Sequence, residues 1–274
     1  MKDTLFTIYK FRSDSDPGWR KKCMKAHIFD EKDAQSVENW YRHPDNRNIV
    51  ERENRLMFDM IQPVRGEHVL GIGCGTGQRL FKFLERGLIV TGIDSSQAML
   101  DASERNLGNR VDLHLGNPES LPFDDNSFNI AILINTLEFC TDYKSALEEA
   151  ARVSKDRLFI GLWNKFAIKD VWIQIKAMYP QIKDKNVQLY SSGEIKRHLK
   201  SVLGQVPMEW KTIGQPGEGS DNMFGELIDK FTFLQRCPFG TFMGIHVILE
   251  PTFRLRPLDL KAEKSNEAMA GGVI

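Results

Sequence analysis

One stretch limits the possible folds more than any other. Residues 69–77 read Val-Leu-Gly-Ile-Gly-Cys-Gly-Thr-Gly. The apolar residues at its start have the pattern of a buried strand. Leu80, Phe83 and Leu84 follow at i, i+3, i+4 spacing, the pattern of a helix. Glycines at 73, 75 and 77 let the backbone turn sharply between the two and let a ligand come close. A strand–turn–helix unit of this kind faces the carboxyl edge of an α/β sheet, where ligands of open sheets bind. Residues 88–93 form a second apolar run, closed by Asp94. A carboxylate there accepts hydrogen bonds from both ribose hydroxyls of a nucleoside. Without a ligand the same glycines serve a tight turn and nothing more; Asp94 argues against that bare reading.

The alternation continues along the chain. Ser95 suits the N-cap of a helix running toward Asn106, and Gly87 suits the end of the helix before it. Val111, Leu113 and Leu115 alternate as a third strand, and residues 128–134 are the most apolar strand, hence a central one. Residues 145–153 read as a helix and 157–163 as a fifth strand. Strict alternation predicts a parallel sheet with helices on both faces. Upstream, residues 30–41 read as a helix, with a turn at 43–46. Ile49, Glu53, Leu56, Met57, Met60 and Ile61 then recur at helical spacing. Downstream, 171–178 and 194–203 read as helices, and 208–213 and 241–249 as strands. The domain expectation is an N-terminal segment and helical cap over 1–62, a main domain over 63–260, and a disordered tail over 261–274. A lid-like insertion over 214–240 separates the last two strands.

Composition narrows the function. The 274 residues include 37 Lys+Arg and 37 Asp+Glu, so a nucleic-acid binder relying on a bulk basic field is disfavoured. No apolar run approaches the ~18 residues of a membrane span, and the N-terminus lacks a secretory pattern, so a cytoplasmic protein is the default expectation. The cysteines at 23, 74, 140 and 237 form no CxxC and have no His at metal-ligand spacing, so no metal is expected. Nicotinamide and flavin dinucleotides are disfavoured as well, because their GxGxxG fingerprint needs a small residue where Gln78 stands.

Gly73-Cys74-Gly75-Thr76-Gly77, Gly92-Ile93-Asp94-Ser95-Ser96 and Met99-Leu100 together resemble the class I S-adenosylmethionine-dependent methyltransferases, specifically the small-molecule group related to quinone-biosynthesis methyltransferases. The resemblance continues through residues 116–123, 125–129 and 149–153. It implies a Rossmann-like, doubly wound, seven-stranded sheet, mostly parallel with the last strand antiparallel. It also implies S-adenosyl-L-methionine as cofactor, S-adenosyl-L-homocysteine as product and a small-molecule methyl acceptor as partner, with no nucleic acid.

On this resemblance Gly71, Gly73, Cys74, Gly75, Thr76 and Gly77 lie along the methionine and ribose portion of the cofactor. Asp94 takes the ribose hydroxyls, with Ser95 and Met99 nearby, Met99 against the adenine. Asn117 stands where the family usually has an Asp receiving the adenine amino group. Asn135 and Thr136 sit beside the methionine part, followed by Leu137 and Phe139. Two positions depart from the pattern. Gly71 replaces a usual acid near the cofactor's ammonium group, so Gly71→Asp is expected to tighten binding. Pro118 has no N–H to offer adenine, leaving that bond to Glu119. The catalytic candidates are His43, Glu138 and Tyr41. Glu138 reads as a general base, a substitute for the missing acid at 71, or a solvated first-turn residue; His43 reads as a base or an exposed turn residue. Trp40 and Trp163 read as pocket walls or core. The function expected is in-line methyl transfer to an apolar or aromatic acceptor, driven mainly by alignment. The alternative is a non-catalytic cofactor-binding protein.

Overall fold

The computed structural model describes residues 28–183, 186–214 and 240–249. Seven strands form one sheet in the order β3-β2-β1-β4-β5-β7-β6: β1 (His68–Ile72), β2 (Ile89–Asp94), β3 (Asp112–Leu115), β4 (Phe128–Ile134), β5 (Ser154–Trp163), β6 (Met208–Ile213) and β7 (Phe242–Ile248). β1 pairs in parallel with β2 and β4, β2 with β3, and β4 with β5. β7 runs antiparallel between β5 and β6. The central strands are apolar on both faces, as a sheet covered from both sides requires. Leu70, Ile72, Leu133, Leu158 and Ile160 pack on one face with Leu147, Ile195 and Leu199. Val69, Ile130, Ile132 and Phe159 pack on the other with Met57, Ile61, Leu80 and Phe83.

The helices are α1 (Glu31–Arg42), α2 (Pro44–Ile61), α3 (Gln78–Leu84), α4 (Gln97–Leu107), α5 (Tyr143–Val153), α6 (Ile168–Met178) and α7 (Ser192–Leu203). Asp30 and Asp33 form a capping box that starts α1. Ala34, Val37 and Trp40 of α1 then join Met99 and Ala102 of α4 and Val171 and Ile175 of α6 in a third apolar cluster. The expected turn at 43–46 contracts to one residue, because His43 is extended and Pro44 opens α2 directly. The regular bonds of α3 end at Leu84, and Gly87, at φ +75°, closes the helix as expected: its N–H donates to the Leu84 carbonyl at 2.9 Å and the Leu88 N–H to the Phe83 carbonyl at 3.3 Å. β5 starts three residues earlier than its apolar run, at Ser154 opposite Phe128, with a register shift before Ile130. α6 likewise begins ahead of the apolar periodicity, and no helix among the described residues is long and apolar enough to cross a membrane. β6 ends and β7 begins at the carboxyl edge of the parallel strands; of the insertion expected between them, residues 215–239 lie outside the described residues. So does the expected tail over 261–274.

Candidate functional site

The turn from β1 into α3 is built by hydrogen bonds to the next strand. Gly73 and Cys74 both donate to the Ile93 carbonyl, at 2.8 and 3.1 Å. Asp94 is 6% exposed; one oxygen accepts from the Gly75 N–H at 2.8 Å and the other from the Ser96 N–H at 2.9 Å. Burial raises its pKa above the ordinary carboxylate value, and these backbone donors hold it down in part. Both oxygens are therefore fixed in direction, and each keeps a lone pair for a further donor. At Gly75, whose φ is +55°, a Cβ would meet nothing within 4 Å, so the backbone there faces open space.

That space is a cavity of about 290 Å³ at the carboxyl edge, near the lower end of small-molecule pockets. Its wall includes Gly71, Gly73, Cys74, Gly75, Thr76, Asp94, Ser95, Met99, Asn117, Pro118, Glu119, Asn135 and Thr136. Thirteen of the residues predicted from sequence are thus brought together. Gly77 and Leu137 do not line it. Gly77, at φ +80°, has Ser103 Oγ 2.4 Å and Leu107 Cδ1 2.7 Å from where a Cβ would be, so its glycine lets α4 pack against the turn. Leu137 is fully buried in the core.

The catalytic candidates separate. Tyr41 lines the cavity. His43 caps α2, with its side chain 60% exposed, and is not part of the wall. Glu138 is fully buried, which overturns the solvated reading; Oε1 accepts from the Trp163 N–H at 2.7 Å, and Glu138 does not line the cavity either. Burial pushes its pKa up to about 8. Trp40 and Trp163 are core residues.

Both departures from the family pattern change meaning. A Cβ at Gly71 would lie 2.4 Å from Leu80 Cδ2, so an acid there would need Leu80 to shift before it could face the cavity. The Glu119 N–H, expected to replace the donor missing at Pro118, is already given to Asn117 Oδ1 at 2.9 Å. Asn117 Oδ1 retains one lone pair for another donor.

Phe139, expected to follow Thr136, does line the cavity, and several wall residues were not foreseen. Phe29 and Tyr179 line it too, and the three rings touch one another, with centroids 5.0 to 5.5 Å apart. Ser96 Oγ donates to the Phe29 carbonyl at 2.7 Å and so ties the entry of α1 to the end of β2. Burial raises the Tyr179 phenol well above its usual value. Arg79 also lines the cavity, paired with Glu53 and bonded to Asn54 Oδ1 at 2.8 Å. Glu53 carried a signal in the sequence, as an acid inside the apolar stripe of α2.

Residues 70–158 match the family model described as Methyltransferase domain. An uncharacterized methyltransferase of Mycobacterium tuberculosis is 35% identical over 118 residues, 43% of this chain and 48% of that protein. The O-methyltransferase resE of Aspergillus sclerotiorum is 27% identical over 175 residues, 60% of this chain and 64% of that protein. The chain thus spans about half the length of the first of these curated relatives and under two thirds of the second. The crystal structure of a SAM-dependent methyltransferase, possible histamine N-methyltransferase, from Thermotoga maritima shares the fold, with a TM-score of 0.57 and 23% identity. The alignment covers 80% of this chain and 96% of that one. The match over residues 70–158, which hold the glycine turn bonded to Asp94, marks this part of the chain as a methyltransferase domain.

Proposed function

We propose that the chain binds S-adenosylmethionine at the carboxyl edge and transfers its methyl group in line to a small, apolar or aromatic acceptor. The carrying observation is the single cavity wall in which Asp94 and the glycine turn stand with the aromatic trio Phe29, Phe139 and Tyr179. Asp94 holds the ribose hydroxyls with its remaining lone pairs, Asn117 Oδ1 accepts from the adenine amino group, and Met99 and Pro118 offer apolar contact to the base. Thr76, Asn135 and Thr136 carry polar groups for the amino-acid end.

When bound, the cofactor supplies a methyl group on sulfonium, already activated as an electrophile. The chain's own residues then have little covalent chemistry to perform. The aromatic trio excludes water and presents faces to a flat acceptor. Holding the acceptor in place contributes on the order of 7–11 kcal/mol relative to reaction in solution. Of the three base candidates only Tyr41 borders the cavity, so alignment is the main effect and an acidic nucleophile, a phenol or thiol, is the fitting class. The Aspergillus relative is named for O-methyl transfer, which favours oxygen.

Calorimetric titration with S-adenosylhomocysteine and with NAD tests the cofactor; binding of NAD alone would overturn the reading. A methyl-transfer screen over phenols, quinols, thiols and amines tests the rest. Binding without turnover of any acceptor would support the non-catalytic alternative.

A further inference from the structure

α6 is apolar on two sides. Val171, Ile175 and Met178 face inward and join the cluster that holds Trp40 and Trp163. The outward side follows a second pattern. At 3.6 residues per turn, Ile168, Trp172, Lys176, Lys169 and Ile173 succeed one another round an arc of about 140°. Ile168 is 51% exposed and Ile173 69%; Phe166, just ahead of the helix, is 58% exposed. Trp172 is half-buried. Three of the nine exposed large hydrophobics among the described residues therefore stand within residues 166–173. Exposed apolar residues scattered singly need no explanation, but a gathered patch marks a contact surface.

The charge of this face selects its partner. Residues 165–183 hold four lysines, at 165, 169, 176 and 183, against one acid, Asp170, in a chain that is otherwise balanced. Lys169 and Lys176 lie inside the apolar arc, and Lys176 Nζ is 5.8 Å from the centre of the Trp172 ring. Lys165, bonded to Glu194 at 3.1 Å, stands at the arc's N-terminal end. A second copy of the chain fits poorly, because a two-fold contact would set these lysines against one another. Trp, Phe and Ile interleaved with Lys suit a helix lying along a bilayer surface. The rings and branched chains enter the acyl boundary, and the lysine stems carry their charges to anionic headgroups. α6 also ends at the cavity, whose wall includes Met178 and Tyr179.

We propose that the outward face of α6, together with Phe166, docks on an anionic membrane surface. The contact is peripheral, since no helix among the described residues is long and apolar enough to cross a bilayer. The docking itself is independent of the cofactor. Its consequence rests on the methyl-transfer reading above: an apolar acceptor reaches the cavity from the lipid phase.

The test uses the full chain and two kinds of vesicle, phosphatidylcholine alone and phosphatidylcholine mixed equally with phosphatidylglycerol. Sedimentation should show wild type on the mixed vesicles at least roughly 10-fold more strongly than on phosphatidylcholine alone, with the difference lost at high salt. The variant Lys169→Glu with Ile173→Ser changes two exposed side chains, so its thermal midpoint should match wild type. Its binding to the mixed vesicles should fall roughly 10-fold or more. Val64→Ser is the control: Val64 is 62% exposed but lies ahead of β1, at the opposite edge of the sheet, and should leave binding unchanged. Wild type that stays in solution with the mixed vesicles overturns the proposal and gives the face to a protein segment, residues 215–239 of this chain or another chain. A folded variant that sediments like wild type overturns it too, because another surface would then bind. Equal binding to both vesicle types overturns it as well, since the lysines would then contribute nothing. None of these outcomes bears on the cofactor reading, which the titrations above test separately.

Discussion

Two positions carry opposite lessons about a single side chain. Asp94 is held by two backbone donors, so its carboxylate is preorganised before any ligand arrives. Asp94→Ala leaves two ribose hydroxyls without a charged acceptor and frees the Gly75 and Ser96 N–H groups. The expected loss is about 1.5–3 kcal/mol, roughly 10- to 150-fold in affinity for S-adenosylhomocysteine. Calorimetry decides, and equal affinities would remove Asp94 from the site. Gly71 shows what a pattern alone hides. The sequence suggests a missing acid, whereas the structure places Leu80 Cδ2 2.4 Å from the Cβ that an acid would need. Leu80 is itself only 1% exposed and packs with Val69, Phe83 and Ile132, so moving it aside costs packing. Gly71→Asp should therefore destabilise the fold by roughly 1–3 kcal/mol through overpacking, and more if the carboxylate stays buried. The check is the denaturation midpoint, alongside a titration in which the variant binds S-adenosylhomocysteine no more tightly than wild type.

At the scale of elements, strands and their helices were legible because hydrophobic period fixes type and approximate extent. Element ends were less so, since they depend on particular caps and pairings: Pro44 removes a turn, and β5 starts at Ser154, ahead of its apolar run. The glycine turn was legible as a ligand turn, but the work of each glycine was not. Gly75 faces the cavity, while Gly77 faces α4. Gly77→Ala should push Ser103 and Leu107 away from the turn and force a left-handed φ on a residue with a Cβ, costing on the order of 2–4 kcal/mol. Thermal unfolding would show it as a lowered midpoint. An unchanged midpoint with weakened cofactor binding would return Gly77 to the ligand side. Arg79 was missed because its partners, Glu53 and Asn54, lie 26 and 25 residues away in another helix. Phe29 and Tyr179 were missed for the same reason, since only the tertiary fold brings them to Phe139.

At the scale of the molecule, Glu138 ties stability to pH. It lies where the end of β4 meets β5 and the segment before α7: Oε1 accepts from the Trp163 N–H at 2.7 Å, and its carbonyl accepts from the Gln188 N–H at 2.9 Å. Its second oxygen, Oε2, is buried without a partner. Burial pushes its pKa from the ordinary 4.5 up to about 8, the Trp163 donor opposing this in part. Between those values the folded chain holds a proton that the unfolded chain has released. Stability must then fall as pH rises across that window, because the folded state binds the extra proton. The contribution is complete below the ordinary carboxylate pKa and is gone once pH passes about 8. Glu138→Gln keeps the carbonyl oxygen that Trp163 needs and removes the titration. Groups common to both proteins, Asp94 among them, cancel in the difference. Denaturation of wild type and Glu138→Gln at pH 5, 6, 7 and 8 should therefore show the variant gaining on wild type by up to about 1.4 kcal/mol per pH unit. A difference that stays constant across the series would mean that Glu138 is already ionised in the folded protein, with Oε2 hydrated or paired.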